Sequence, residues 1–244
     1  MAGKRYVDAG KVAEGSRAEW PRNSFLAALP VPVLQDFLSA GELVRFRSGE
    51  VLIDERGAGT EVFLLLDAGV KVTTPLDGGG HALLAIRVGG DVVGEIAVMD
   101  GGERTARVSA FGHEPVIAVR LGRGGLLGLL HRYPEAAISL ASAVSRKLRS
   151  ATRRRVDIST CTVQVRIARA VLELAEDYGR PTTRGTTLIS VNFTQIELGT
   201  LVGASEATVQ RALRNLRNQG LVGNSGRRLL VPDMAALRSV ARLA

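Results

Sequence analysis

Gly94-Glu95-Ile96-Ala97-Val98-Met99-Asp100-Gly101-Gly102-Glu103-Arg104-Thr105-Ala106 brings a glycine, a carboxylate, an arginine and a hydroxyl into one short, turn-rich segment. Together these residue types can hold a ribose phosphate. A buried phosphate needs a fixed cationic fork, which Arg104 supplies bidentately, and backbone N–H groups that approach closely, which glycine allows. A carboxylate only accepts hydrogen bonds at neutral pH, so Glu95 suits a ribose hydroxyl and not the phosphate. Thr105 can donate one further bond to the phosphate.

The segment resembles the phosphate-binding cassette of cyclic-nucleotide-binding domains, roughly Gly-Glu-Leu-Ala, a short variable turn, then Arg-Ser/Thr/Ala-Ala. Ile96 and Ala97 stand in the Leu-Ala positions, and Arg104 lies ten residues after Gly94. The resemblance implies a non-covalently bound cyclic nucleotide, cAMP or else cGMP, held by Gly94, Glu95, Ile96, Ala97, Arg104 and Thr105. Relatives with a degenerate cassette bind another effector or none, whereas the Glu and the Arg are both retained here.

On either side of the cassette, between Val44 and Leu121, short β-rich runs (51–53, 62–66, 70–72, 82–86, 116–119) alternate with Gly-bearing turns, which predicts a small antiparallel barrel or roll. Upstream, apolar residues from Phe25 to Leu38 recur at helical spacing, interrupted by Pro30 and Pro32, and predict a short helix pair. Residues 1–24 are polar and charged, without the apolar core of a signal peptide or anchor. They read as a flexible tail, and the expected compartment is the cytoplasm.

Downstream, Pro134 opens a long helix, with a hinge expected at Ile158-Ser159-Thr160-Cys161-Thr162 and a new helix from Val163. Positions 137, 141, 144, 148, 151 and 158 are apolar or small at coiled-coil spacing, which predicts a homodimer through the 137–158 helix. Arg155 interrupts that seam and would repel its mate unless an acid or a bound anion offsets it, or the seam splays.

Charge is divided unevenly. Residues 1–140 carry 15 Lys and Arg against 17 Asp and Glu, whereas residues 141–244 carry 17 against 7. The basic excess sits in the C-terminal part, as in a nucleic-acid-binding module. There, Leu188 to Phe193 reads as a strand and Thr194-Gln195-Ile196-Glu197 as a capping box, followed by a helix buried through Ile196, Leu198, Leu201 and Val202. Gly203-Ala204-Ser205 makes a tight turn, and Ser205 caps a second helix that stops at Gly220. This is a helix-turn-helix. Val209, Leu213 and Leu216 point inward, leaving Glu206, Ala207, Gln210, Arg211 and Arg214 for the major groove. A following hairpin, 221–223 with 228–231, reads as a wing, with Arg227 and Arg228 available to phosphate. The candidate DNA-binding set is Thr194, Ser205, Glu206, Ala207, Thr208, Gln210, Arg211, Arg214 and Arg227.

Cassette, long helix and winged helix-turn-helix, in that order, resemble the family of the cyclic-AMP receptor protein and the fumarate–nitrate regulator over residues 25–240. The expected fold is α+β: a flexible tail (1–24), a cyclic-nucleotide-binding β-roll (25–133), a dimerisation helix and hinge (134–161) and a winged helix-turn-helix (162–244). The resemblance implies a ligand-gated homodimeric regulator on a pseudo-palindromic double-stranded operator, with RNA polymerase as a further partner. A nucleotide-independent regulator, or one answering to another effector, is the alternative. Two departures bear on specificity. Glu206 and Ala207 stand where the family has Arg and Glu, which puts the familiar TGTGA half-site in doubt. Ala151-Thr152 stands where the cyclic-AMP receptor protein has Thr-Ser facing adenine, leaving Thr152 to meet the base.

One cysteine, Cys161, excludes an intramolecular disulfide and a cysteine-ligated metal site made by one chain. His81, His113 and His131 are scattered, so neither a metal nor a haem is expected. No nucleophile elbow, Walker loop or metal-binding His pair supports an enzyme, and no catalytic residue is assigned. No run approaches the ~18 apolar residues of a membrane span.

Overall fold

The computed structural model describes residues 8–242 apart from 184, 190 and 227. In chain order the elements are α1 (Ala9–Ser16), α2 (Val31–Ser39), β1 (Glu42–Phe46), β2 (Val51–Ile53), β3 (Glu61–Asp67), β4 (Gly69–Pro75), β5 (His81–Val88), β6 (Val92–Val93), α3 (Glu95–Asp100), β7 (Arg107–Phe111), β8 (Val116–Gly122) and α4 (Arg123–Arg132). There follow α5 (Pro134–Thr160), α6 (Val163–Tyr178), β9 (Gly179–Pro181), β10 (Thr187–Ile189), α7 (Gln195–Val202), α8 (Glu206–Asn218), β11 (Gly223–Ser225), β12 (Arg228–Val231) and α9 (Met234–Arg242). They divide into two compact units: residues up to Thr74 with Ala85–Lys147, and Pro75–Leu84 with Leu148 onward.

In the first unit the strands form two antiparallel sheets, ordered β1-β8-β3-β6 and β2-β7-β4-β5. The run 62–66 shows why it is apolar throughout instead of alternating. Side chains alternate across a strand, so Val62, Leu64 and Leu66 reach a core shared with the helices, while Phe63 and Leu65 reach the core between the sheets. Both faces of β3 are covered.

The N-terminal segment departs from expectation. Described residues 8–24 form no flexible tail: Asp8 caps α1, a 3-10 turn follows at Arg17–Glu19, and Trp20 is 5% exposed. The Trp20 indole donates to Leu66 O (2.9 Å), and Arg17 Nη2 donates to Leu29 O (2.9 Å). Trp20 thus adds a large apolar surface to the helical core and satisfies its one donor on β3. The expected helix pair over 25–38 is a series of turns followed by α2 alone, because Pro30 confines the regular hydrogen bonding to the residues after it.

The second unit holds a four-stranded sheet, β11-β12-β10-β9, beside α6 to α9. α5 ends at Thr160, and Thr162 caps α6 by accepting from Val165 N (3.4 Å), so the break falls within the expected hinge. β10 stops at Ile189, short of Phe193, and the wing's first strand begins at Gly223; Leu221 and Val222 are buried core residues before it. Among the described residues no helix is long and apolar enough to cross a membrane.

Candidate functional site

The cassette begins where β6 ends. Gly94 takes φ +87°, and a Cβ there would lie 2.9 Å from Arg104 Nη1, Glu61 O and Ile53 Cδ1. Only glycine meets both the left-handed backbone and the space. α3 follows, with Ala97 buried and Ile96 exposed, and the chain returns through Gly101 and Gly102 to Arg104. Backbone bonds hold this return against residues 56–57: Arg56 N donates to Arg104 O (2.9 Å) and Arg104 N to Gly57 O (3.3 Å).

The Arg104 guanidinium is fixed by the chain itself. Nε donates to Ala58 O (3.2 Å) and Nη2 to Glu61 O (2.8 Å), while the buried Nη1, beside Gly94, has no partner among the described residues. Burial pushes the Arg104 pKa below the ordinary arginine value, and the Glu61 carboxylate works against that shift. A guanidinium remains charged at neutral pH, so one cationic donor is left over for an anion. Thr105 is exposed next to it.

Glu95 is 3% exposed, and its Oε1 accepts from Lys147 Nζ (2.9 Å), which also donates to Val92 O (2.6 Å). Sequence reading missed Lys147. Its signal lay in the long helix, where the buried ridge Ala136, Leu140, Ala143 continues at helical spacing to 147, a position where a lysine needs a partner. Thr152, expected near the base, is exposed on α5 and belongs to the second unit.

In the second unit the capping box is complete: Glu197 N donates to Thr194 Oγ1 (3.1 Å) and Thr194 N to Glu197 Oε2 (2.7 Å). Leu198, Leu201 and Val202 bury α7, but Ile196 is 54% exposed and leaves the expected core face. Gly203 takes φ +64°, and Ser205 caps α8 by accepting from Thr208 N (3.4 Å). Val209, Ala212, Leu213 and Leu216 are buried, whereas Glu206, Ala207, Gln210, Arg211 and Arg214 are exposed on the other side of α8. Arg217, not singled out beforehand, donates to Asn224 Oδ1 (3.3 Å) and joins α8 to the wing. Arg228 is half-buried in β12; Arg227 lies outside the described residues.

Comparison with known proteins agrees with both halves. A family described as the cyclic nucleotide-binding domain matches residues 43–133, and the Crp-like helix-turn-helix domain matches residues 165–240. A CRP-like cAMP-activated global transcriptional regulator of Mycobacterium tuberculosis is 30% identical over 82% of this chain and 88% of its own length. The cyclic AMP receptor protein of Thermus thermophilus is 29% identical over 80% and 86%. Two solved structures share the fold: FixK2 of Bradyrhizobium japonicum (TM-score 0.69, 21% identity, covering 84% of this chain and 98% of that one) and the c-di-GMP responsive regulator CLP of Xanthomonas campestris (0.68, 18%, 84% and 100%). With both domain types present in this order, and with that identity to a named regulator, the chain belongs to the CRP/FNR family of DNA-binding transcriptional regulators.

Proposed function

We propose that this regulator is a homodimer whose grip on DNA is set by a cyclic nucleotide, cAMP in the first instance, held in the β-roll. The observation that carries the reading is Arg104: two donors locked on backbone carbonyls, and a third, buried and unpartnered among the described residues, left for the phosphate. Gly94, Glu95, Ile96, Ala97 and Thr105 complete the site, with the free oxygen of Glu95 for a ribose hydroxyl and Thr152 for the base. The relatives named as cAMP-activated support the choice of nucleotide.

Dimerisation draws on α5. Ala141, Leu148, Ala151 and Arg155 form an exposed stripe, Leu148 being 66% exposed, while Ala137 and Val144 are half-buried. An apolar stripe of this kind on a long helix suits a second copy. Two copies would present two recognition helices to adjacent major grooves of a pseudo-palindrome, with Glu206, Ala207, Gln210, Arg211 and Arg214 toward the bases, Arg227 for phosphate, and Thr194, Ser205 and Thr208 completing the DNA-binding set. RNA polymerase is the further partner, and the cytoplasm the compartment.

Calorimetric titration with cAMP, cGMP and buffer, followed by DNA binding with and without nucleotide, tests this. The nucleotide must bind the DNA-competent state more tightly for any switch to follow. Heat with cAMP and tighter DNA binding is the expected result; no heat with either nucleotide overturns it. A nucleotide-independent regulator is the second reading. It draws on Lys147, which gives Glu95 a cation within the chain itself, and sequence-specific DNA binding without any nucleotide response would select it.

A further inference from the structure

The C-terminal half of α5 carries Ser150, Arg154 and Asp157 at the i, i+4, i+7 spacing that stacks side chains along one side of a helix. All three meet α6. Ser150 Oγ donates to Glu173 Oε1 (2.5 Å), Arg154 Nη1 lies 3.7 Å from Glu173 Oε2, and Arg169 Nη1 donates to Asp157 Oδ1 (2.5 Å). Partner numbers fall along α6 as they rise along α5, so these two segments run antiparallel.

Asp157 differs from the other two in being 6% exposed. Its guanidinium partner serves three places. Besides Asp157, Arg169 donates through Nε to Ala241 O of α9 (2.7 Å), and its Nη1 lies 3.4 Å from Cys161 Sγ in the break between α5 and α6. The next residue on α5, Ile158, abuts the helix-turn-helix: a Cβ on Gly203 would lie 3.0 Å from Ile158 Cδ1. Where α5 sits along α6 therefore decides what presses on the turn before the recognition helix.

An apolar helix contact tolerates a slip by one turn with modest loss. A slip of about 5.4 Å here would carry Asp157 off Arg169 and leave a carboxylate buried without a cation. We propose that Asp157 and Arg169 are positioning residues that lock the register of α5 on α6, so that the end of the long helix and the C-terminal helix move as one body. What that body delivers to DNA rests on the regulator reading above; the lock itself does not.

Hydrogen exchange by mass spectrometry on the full-length protein tests the lock. Asp157→Asn should speed exchange of amides 156–161 and 237–241 together, by about tenfold or more, while α8 keeps its protection. Arg169→Gln should do the same, and the double variant should lose no more than either single one, as expected of groups acting as a pair. Arg169→Lys keeps a cation but not the fork, so it should restore protection at 156–161 and not at 237–241. A purely local packing role predicts neither the linked loss nor this split rescue. Unchanged exchange in Asp157→Asn, or loss at 156–161 without loss at 237–241, overturns the proposal.

The same variants are then titrated with cAMP and DNA. The ratio of DNA affinities with and without nucleotide should fall toward one in Asp157→Asn while cAMP affinity stays at the wild-type value. A wild-type protein indifferent to cAMP would defeat the cAMP-gated reading and leave the exchange result to decide the lock by itself.

Discussion

Glu95 is a buried charge and Arg104 a half-buried one, and their costs are met in different ways. Arg104 is tied to two carbonyls and keeps one donor in reserve, so its removal should affect the ligand more than the fold. Arg104→Ala is expected to cost ~2–5 kcal/mol of nucleotide affinity in calorimetry, because it deletes the charge partner of a buried phosphate. Its melting temperature should stay close to the wild-type value. Glu95 instead depends on Lys147. Lys147→Met leaves a buried carboxylate alone, and urea unfolding should show a loss of up to ~3–5 kcal/mol, less to the extent that the partly exposed lysine end is already solvated. Adding Glu95→Gln should recover much of it, since the charge is then gone. Both cassette residues were legible because they fall in one short motif with Gly94, whose backbone lies against the Arg104 guanidinium. Lys147 was not, being 52 residues from Glu95 with only a break in an apolar ridge to mark it.

Helix boundaries in the second unit follow from capping chemistry, and that chemistry is local. Thr194 and Glu197 satisfy each other's backbone N–H groups within four residues, so the start of α7 was readable directly. Thr194→Ala should cost ~0.5–2 kcal/mol of stability in thermal unfolding without altering which DNA sequences are selected. Arg211→Ala is expected to do the reverse, costing ~1–3 kcal/mol on the preferred site and relaxing one position of each half-site in a selection from random DNA, with unfolding unchanged. Ile196 was misread for a geometric reason. It stands two residues before Leu198, about 200° around the helix, and so cannot share a face with Leu198, Leu201 and Val202.

Across the whole molecule α5 serves three surfaces: Ala136, Leu140 and Ala143 face the first unit's core, Ser150, Arg154 and Asp157 face α6, and the stripe through Leu148 and Arg155 remains exposed. If that stripe is the dimer seam, Leu148→Glu should give monomers in sedimentation equilibrium and abolish cooperative binding to paired half-sites, whereas Arg155→Leu should tighten the dimer by removing a like-charge encounter. A Leu148→Glu protein that still sediments as a dimer would move the seam elsewhere. By itself the sequence determined the strand runs at 51–53, 62–66, 70–72, 82–86 and 116–119 with their turns, the cassette, the capping box and the basic C-terminal half, because periodicity, capping and charge act over a few residues; the strands at 42–46, 92–93 and 107–111 were not read from it. Only the tertiary structure decided that Trp20 closes the helical core through Leu66, that Lys147 answers Glu95, and that Asp157 is buried against Arg169. Each joins segments distant in the chain, and which buried polar group finds which partner depends on how the whole core closes, a condition no local pattern encodes.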